Sequence, residues 1–504
     1  REGVGMINQG GNAIDAAIAT AAALTVVEPT GNGIGGDAFA LVWVKNKLHG
    51  LNASGQSPNL LTPESVKANG HSQMPLYGWT PVTVPGAPAA WAALSNKFGK
   101  LPFATLLEPA IELAREGFPV SPTISYLWQK AANNFSSALT SPETQHWFDV
   151  FTTNGRAPHA GEIFKCEAQA HTLSLIAQSK AESFYRGELA QKIDAYARET
   201  GGYIRSDDLA SYQVEWVEPV KVNYKGYDVW EIPPNGQGMV ALMALNMLNT
   251  CNFESRESID TYHQQIEAMK LAYTDGQAHI TQADKMKVSV ESLLSQDYAD
   301  SRRALISEQA IMPSAGEPKA GGTVYLACAD NEGNMVSFIQ SNYHGFGSGV
   351  VIPNTGIAMQ NRGHNFSLDP NHVNYLAPNK KTFHTIIPGF ISKDNQAVGP
   401  FGVMGGFMQP QGHMQVVMNM IDFKLNPQAA LDAPRWQWMA DKRVGLEHQV
   451  PLEISQGLAN KGHDIEIACD LTSFGRGQII LKDPETGVLQ GGTESRTDGH
   501  IATW

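Results

Sequence analysis

The sequence predicts a layered α/β (α+β) domain, with helices flanking stacked, mainly antiparallel strands. Three observations lead there. Residues 87–310 are mostly helical in pattern. Beyond 313, strand pairs alternate with helices. Between the two lies a link rich in breakers, carrying Pro313, Gly316, Pro318, Gly321 and Gly322. A chain of 504 residues with 42% hydrophobic content can bury a large core and is too long for one small domain.

Each element has a local reason. Asn12 is placed to cap a helix reaching about Val27, with Asp15 in its first turn and Pro29 beyond its end. That helix is almost all Ala, Ile, Leu, Val and Thr, so it must be covered on every side. A glycine-rich loop at 31–36 leads into a strand at 37–44. Helical spacing recurs at 105–116 (ended by Gly117), 237–248 and 259–273. A strand-like run at 224–232 interrupts it and ends in Pro233 and Pro234. After the link come strands at 323–329, 335–341, 386–392 and 398–403, then helices at 409–421 and 427–431. A strand at 444–447, a helix at 452–461 and strands at 465–469 and 478–482 complete the pattern. Trp79, Trp91 and Trp230 read as core rather than ligand platforms.

Composition excludes several functions. A net charge of −13 without a long Lys/Arg run leaves no footprint for nucleic acid. The most apolar stretch, 13–27, is short and carries Asp15, so no membrane partner is expected. Cys166, Cys251, Cys328 and Cys469 form no CxxC pair and read as ordinary buried thiols. His364, His372, His384 and His413 lack zinc-ligand spacing, so neither a metal nor a cofactor is expected. The 31–36 loop follows a helix rather than a strand, the wrong setting for a dinucleotide, and reads as a structural turn. The chain opens on Arg1, which leaves the compartment open, with the cytoplasm preferred to the periplasm or secretion.

One residue stands out chemically. Thr323 begins a strand just after Gly321 and Gly322, and the turn 330–334 leads into the next strand. If Ala329 pairs with Met335, Thr323 falls opposite Ser341. Directly opposed Cβ atoms lie about 4.5–5.5 Å apart, within reach of a hydroxyl–hydroxyl bond. A slip of one residue would put Asn342 there instead. Were the peptide bond before Thr323 broken, its α-amine, with a pKa of about 8, could deprotonate the hydroxyl beside it. Gly322 leaves the approach to the preceding carbonyl open. The plainer reading is a Thr that simply suits a strand. A second candidate is the turn at 402–406, where the N–H groups of Gly405 and Gly406 could hold an oxyanion. Its plainer reading is a strand-to-helix turn.

Ordered motifs along nearly the whole chain resemble the gamma-glutamyltranspeptidase family, in particular its transpeptidase-like and cephalosporin-acylase-like branch. They include Gly10-Gly-Asn-Ala-Ile-Asp-Ala-Ala17, Gly33-Ile-Gly-Gly-Asp37, Val84-Pro-Gly86, Asp330-Asn-Glu-Gly-Asn334, Gly345-Phe-Gly-Ser-Gly349, Gln360-Asn-Arg362, Phe401-Gly-Val-Met-Gly-Gly406 and Gly491-Gly-Thr-Glu-Ser-Arg496. The resemblance implies an N-terminal-nucleophile hydrolase fold, a four-layer αββα sandwich. It also implies autocleavage between Gly322 and Thr323 into a large segment, 1–322, and a small segment, 323–504, that stay together as one compact unit. By family spacing the nucleophile is Thr323, its supporting hydroxyl Ser341, and its oxyanion glycines Gly405 and Gly406.

Substrate contacts carry over less well. The family's carboxylate-binding Arg would lie between Ser54 and Val66, yet no Arg occurs between Arg1 and Arg115, and Lys67 cannot make the same bidentate fork. An acidic family position matches Asn365, a Ser-Ser pair matches His384 and Thr385, and an Asn matches Tyr343. Arg362 is the one cation in this block placed to face a substrate carboxylate. The resulting expectation is an acyl-enzyme amidohydrolase or acyltransferase for a small acyl amide, with water or an amine as acceptor and gamma-glutamyl donors as the family default. A glutaryl or other acylase is the alternative, and an unprocessed, catalytically silent homologue is a third. A homodimer is compatible with all three.

Overall fold

The computed structural model describes residues 1–313 and 322–503. Most of the breaker-rich link, 314–321, lies outside the described residues. Eleven strands build the two main sheets: β1 (Asp37–Val44), β2 (Lys47–Ala53), β3 (Glu215–Val217), β4 (Val220–Tyr224), β5 (Tyr227–Glu231), β6 (Gly322–Ala329), β7 (Met335–Tyr343), β8 (Gly389–Lys393), β9 (Gln396–Met404), β10 (Arg476–Lys482) and β11 (Leu489–Thr493). The first sheet has the order β3-β2-β1-β7-β6, the second β11-β10-β9-β8-β5-β4, and neighbouring strands are antiparallel throughout.

Alternation along each strand decides what the sheets face. Phe39, Leu41 and Trp43 of β1, Tyr325 of β6 and Ile339 of β7 meet Phe390 and Met404 of the second sheet in an inter-sheet core. Ala40, Val42 and Phe338 point the other way, onto a core shared with helices α1 (Ala13–Val27), α2 (Ala87–Phe98), α3 (Phe103–Glu116) and α4 (Glu167–Ser179). The outer face of the second sheet, with Val229, Ile391 and Phe401, packs on α5 (Gly238–Leu248), α6 (Ile259–His279) and α7 (Gln409–Ile421). The layers therefore run helix, sheet, sheet, helix, as the family resemblance implied.

The capping prediction for α1 is met in detail. The Asn12 side chain accepts from the N–H groups of Ile14 and Asp15, and the Asp15 carboxylate accepts from the Asn12 N–H at 3.0 Å. Two expectations need correction. The 224–232 run is not one strand: Lys225 (φ 49°) and Gly226 (φ 89°) form a two-residue turn that folds β4 onto β5. Adjacent positive-φ residues suit the twist of a tight hairpin, and periodicity alone does not reveal such a turn when Lys fills its first position. The thiols are also less hidden than expected, since Cys469 is exposed and Cys166, Cys251 and Cys328 are half-buried.

Candidate active site

The pairing of β6 with β7 places Ala329 opposite Met335 and Val324 opposite Gln340. The register then shifts, so that Gly322 faces Tyr343 and a bulge falls at Thr323. Of the two candidate partners it is Ser341, on the inter-sheet face, that meets Thr323; the Asn342 side chain is on the other face. Thr323 is 1% exposed, and its hydroxyl donates to Ser341 Oγ at 3.0 Å. Ser341 Oγ also accepts from the Tyr343 N–H at 2.8 Å and donates to the Gly322 carbonyl oxygen at 2.7 Å. One hydroxyl thus joins the candidate nucleophile to the carbonyl it would attack. Tyr343 itself sits at φ 78°, a conformation rare for a bulky residue and one that concentrates at functional sites.

The row continues across the sheet. Asp37 of β1 pairs with Ser341, so both side chains rise from the same face. Asp37 Oδ2 lies 2.8 Å from His384 Nε2, and Asp37 Oδ1 accepts from the Gly86 N–H at 3.3 Å. His384 Nδ1 accepts from the Ile386 N–H, which leaves the ring proton on Nε2, donated to Asp37. Burial raises Asp37 to about 7, with the Arg362 charge the largest opposing influence. Burial pushes His384 far below its usual range, so the ring stays neutral.

Arg362, 1% exposed, sits on a short helical turn, Arg362–Asn365, with its guanidinium 4.4 Å from the Tyr343 ring centre. Its Nη1 donates to Thr385 Oγ1 at 2.5 Å, while Nε and Nη2 are buried without a hydrogen-bond partner among the described residues. Burial lowers it to about 10, so it remains a cation at neutral pH. The Tyr343 hydroxyl donates to Asn365 Oδ1 at 2.7 Å. Tyr343, Arg362, His384 and Thr385, all buried, and half-buried Asn365 therefore share one polar network beside Thr323 and Ser341. Lys67 is exposed at the end of the helix Pro63–Ala68 and takes no part in it. A cleft of about 420 Å³ opens alongside, lined by residues 70–76 and His364, whose ring lies 6.4 Å from that of Tyr343.

Gly405 (φ 140°) and Gly406 (φ 59°) end β9 and turn the chain toward α7. Gln237 ties this turn to the network: its Nε2 donates to the carbonyls of Gly406, at 2.9 Å, and Thr385, at 2.5 Å. The Tyr273 hydroxyl fixes its other end at 2.9 Å. Sequence reasoning missed Gln237 because one Gln before a helix has no chemical signature. It also missed Asp37, although this acid at the start of a strand, after three glycines in five positions, carried a signal. The 31–36 loop is a structural turn, as read, but its place is not incidental. A Cβ on Gly31 would lie 2.9 Å from the Thr323 carbonyl oxygen, and one on Gly36 would lie 2.6 Å from Asn342 Oδ1. A group of metal-ligand type went unnoticed too. His263, Glu267 and His463 gather within 4.8 Å, but Lys270 Nζ, 2.7 Å from Glu267, already supplies a cation there.

The helix–sheet–sheet–helix layering, with antiparallel strands in both sheets, is that of the N-terminal-nucleophile amidohydrolases. The gamma-glutamyltranspeptidase family model matches residues 2–504, and the chain belongs to that family. It is 38% identical to the glutathione hydrolase-like YwrD proenzyme of Bacillus subtilis, covering 98% of this chain and 94% of that one. It is 33% identical to the oxamate amidohydrolase proenzyme of Klebsiella pneumoniae, covering 99% and 95%. The crystal structure of cephalosporin acylase from Bacillus halodurans superimposes with a TM-score of 0.97 at 60% identity, covering 100% of this chain and 93% of that one.

Proposed function

We propose that Thr323 is the nucleophile of an acyl-enzyme reaction and is unmasked by cleavage of the bond before it. The observation that carries this reading is the hydroxyl chain from Thr323 through Ser341 to the Gly322 carbonyl. During maturation Thr323 Oγ attacks the Gly322 carbonyl carbon. Ser341 draws on the hydroxyl proton and donates to the oxygen that becomes the oxyanion. Collapse breaks the C–N bond as the former hydroxyl proton passes to the departing Thr323 nitrogen, and leaves an ester, which water hydrolyses to a Gly322 carboxylate and a free Thr323 hydroxyl beside its free amine. In turnover that amine accepts the hydroxyl proton, the N–H groups of Gly405 and Gly406 hold the substrate oxyanion, and water or an acceptor amine takes the acyl group. Tyr343, Arg362, Asn365, His384 and Thr385 line the acyl-donor site.

Gamma-glutamyl amides are the donor class the family implies. An acylase for a different acyl amide is a second reading, supported by neutral Asn365 at an acidic family position and by the lack of any Arg at 2–114. Thr323→Ala should abolish both chain cleavage and nitroanilide release, the latter by at least about 1,000-fold. Denaturing gels and a chromogenic assay read the two separately. A Thr323→Ala chain that still splits into two bands would remove Thr323 from the mechanism.

A further inference from the structure

Two successive glycines do little to hold a turn by themselves. Gly405 (φ 140°) and Gly406 (φ 59°) sit where L side chains rarely go, and without a Cβ each has other conformations within easy reach. An oxyanion site needs the opposite, because its N–H groups stabilise charge only if they are aimed before the reaction begins. The turn is therefore held through its carbonyls. The Met408 N–H donates to the Gly405 carbonyl at 3.0 Å, and the Gln409 N–H donates to the Gly406 carbonyl. Those two bonds are local. Gln237 Nε2 reaches the Gly406 carbonyl, at 2.9 Å, from 169 residues away, and bonds the Thr385 carbonyl at 2.5 Å with its other hydrogen. These bonds all use carbonyl oxygens, so none of them consumes an N–H of the two glycines.

Gln237 is itself firmly mounted. Its N–H donates to the His384 carbonyl at 2.9 Å, and the His384 N–H donates to the Asn235 carbonyl at 2.9 Å. Its side chain is fully buried, as is Tyr273, whose hydroxyl lies 2.9 Å from Gln237 Oε1 and 2.5 Å from the Phe407 carbonyl. Burial keeps that hydroxyl protonated. The partners decide which way the amide points. Carbonyl oxygens only accept, so Nε2 faces Thr385 and Gly406, and Oε1 faces the hydroxyl. Gln237 and Tyr273 belong to segment 1–322, whereas Thr323, Thr385 and the glycine turn belong to 323–504.

We propose that Gln237, oriented by Tyr273, is a positioning residue for turnover, fixing the Gly405–Gly406 turn against Thr385. This rests on the acyl-enzyme reading and separates the two reactions of Thr323. In maturation the oxyanion forms on the Gly322 carbonyl, which is held by Ser341 Oγ at 2.7 Å. In turnover it forms on the donor, in front of the Gly405 and Gly406 N–H groups. Loss of the Gln237 amide should therefore slow turnover and spare maturation. Because the turn acts on charge that develops only in the transition state, the loss belongs in kcat rather than KM.

The test uses Gln237→Leu, which keeps most of the volume and removes both donors, and Tyr273→Phe, which removes only the hydroxyl that orients the amide. Chain cleavage is followed on denaturing gels, and the cleaved proteins are assayed with gamma-glutamyl and glutaryl nitroanilides. Gln237→Leu should lower kcat roughly 10- to 100-fold, with KM and cleavage rate within about threefold of wild type. Tyr273→Phe should lower kcat by roughly 3- to 10-fold, and the double variant should be no slower than Gln237→Leu, since the hydroxyl acts through the amide. If Gln237→Leu fails to fold, Tyr273→Phe carries the same comparison. Modification of Thr323 by phenylmethanesulfonyl fluoride, followed by mass spectrometry of the small fragment, needs no donor. Its rate should fall with kcat, because the sulfonyl oxygens gain charge as the hydroxyl attacks. An unchanged kcat, a kcat loss matched by equal slowing of cleavage, or fully multiplicative losses in the double variant overturns the proposal and leaves the acyl-enzyme reading intact. Cleaved wild-type protein that neither turns over a donor nor is modified at Thr323 would sink that reading, and the proposal with it.

Discussion

Ser341 shows how much chemistry one side chain can link. Its oxygen accepts from Thr323 and Tyr343 and donates to Gly322, using its whole hydrogen-bonding capacity. Alanine there would leave the Tyr343 N–H and the Gly322 carbonyl short of partners in a buried setting. A loss of about 1–3 kcal/mol at the cleavage transition state corresponds to roughly 5- to 150-fold slower maturation. A time course of fragment appearance on denaturing gels measures this directly. Ser341→Thr keeps the hydroxyl and should mature faster than Ser341→Ala. Equal rates for wild type and Ser341→Ala would show that the hydroxyl chain is incidental.

The 31–36 loop matters as a unit of backbone rather than as a set of side chains. Gly31 lies against the main chain of Thr323, and Gly33 and Gly36 lie against the Asn342 amide, so the loop presses on both strands that carry Thr323 and Ser341. A methyl group at Gly31 would meet main-chain atoms of Thr323, which cannot rotate aside. Gly31→Ala should therefore cost about 1–3 kcal/mol of stability and slow cleavage, because the start of β6 must move. Thermal melting and the cleavage time course together check this. A variant that melts lower but matures at the wild-type rate would show that the loop supports the fold and not the geometry of Thr323.

Across the molecule, the two segments on either side of Thr323 are interleaved. In the first sheet β1 is hydrogen-bonded to β7, and in the second β5 is hydrogen-bonded to β8. The inter-sheet core combines Phe39, Leu41 and Ile232 with Tyr325, Ile339 and Phe390. The end of the first segment is clasped as well. Glu267 Oε2 accepts from the Ile311 N–H at 2.8 Å, and the Ala310 N–H donates to the Lys461 carbonyl at 2.7 Å. Fragments 1–322 and 323–504 should therefore coelute after cleavage on native size exclusion. They should separate only in denaturant, within the same transition that abolishes the near-ultraviolet circular dichroism. Separation under native conditions would contradict this arrangement.

The layered class, the capped α1 and the approximate strand positions were legible from spacing, because periodicity and capping are local properties. The pairing of Ala329 with Met335 was legible too, since a short turn limits the register. Family spacing then raised Thr323, Ser341, Gly405 and Gly406 above their plainer readings. The folded chain alone decided the rest. The bulge at Thr323, the approach of Gly31, the bridge by Gln237 and the pairing of Asp37 with His384, 347 residues away, all depend on segments that meet only after folding. Arg362 changed most. In the sequence it was a cation with a substrate to face; in the fold it is a buried group half-satisfied by Thr385 and governed by Asp37. The physical reason is that the cost of burying charge depends on what surrounds it, and those surroundings come from four separate stretches of chain.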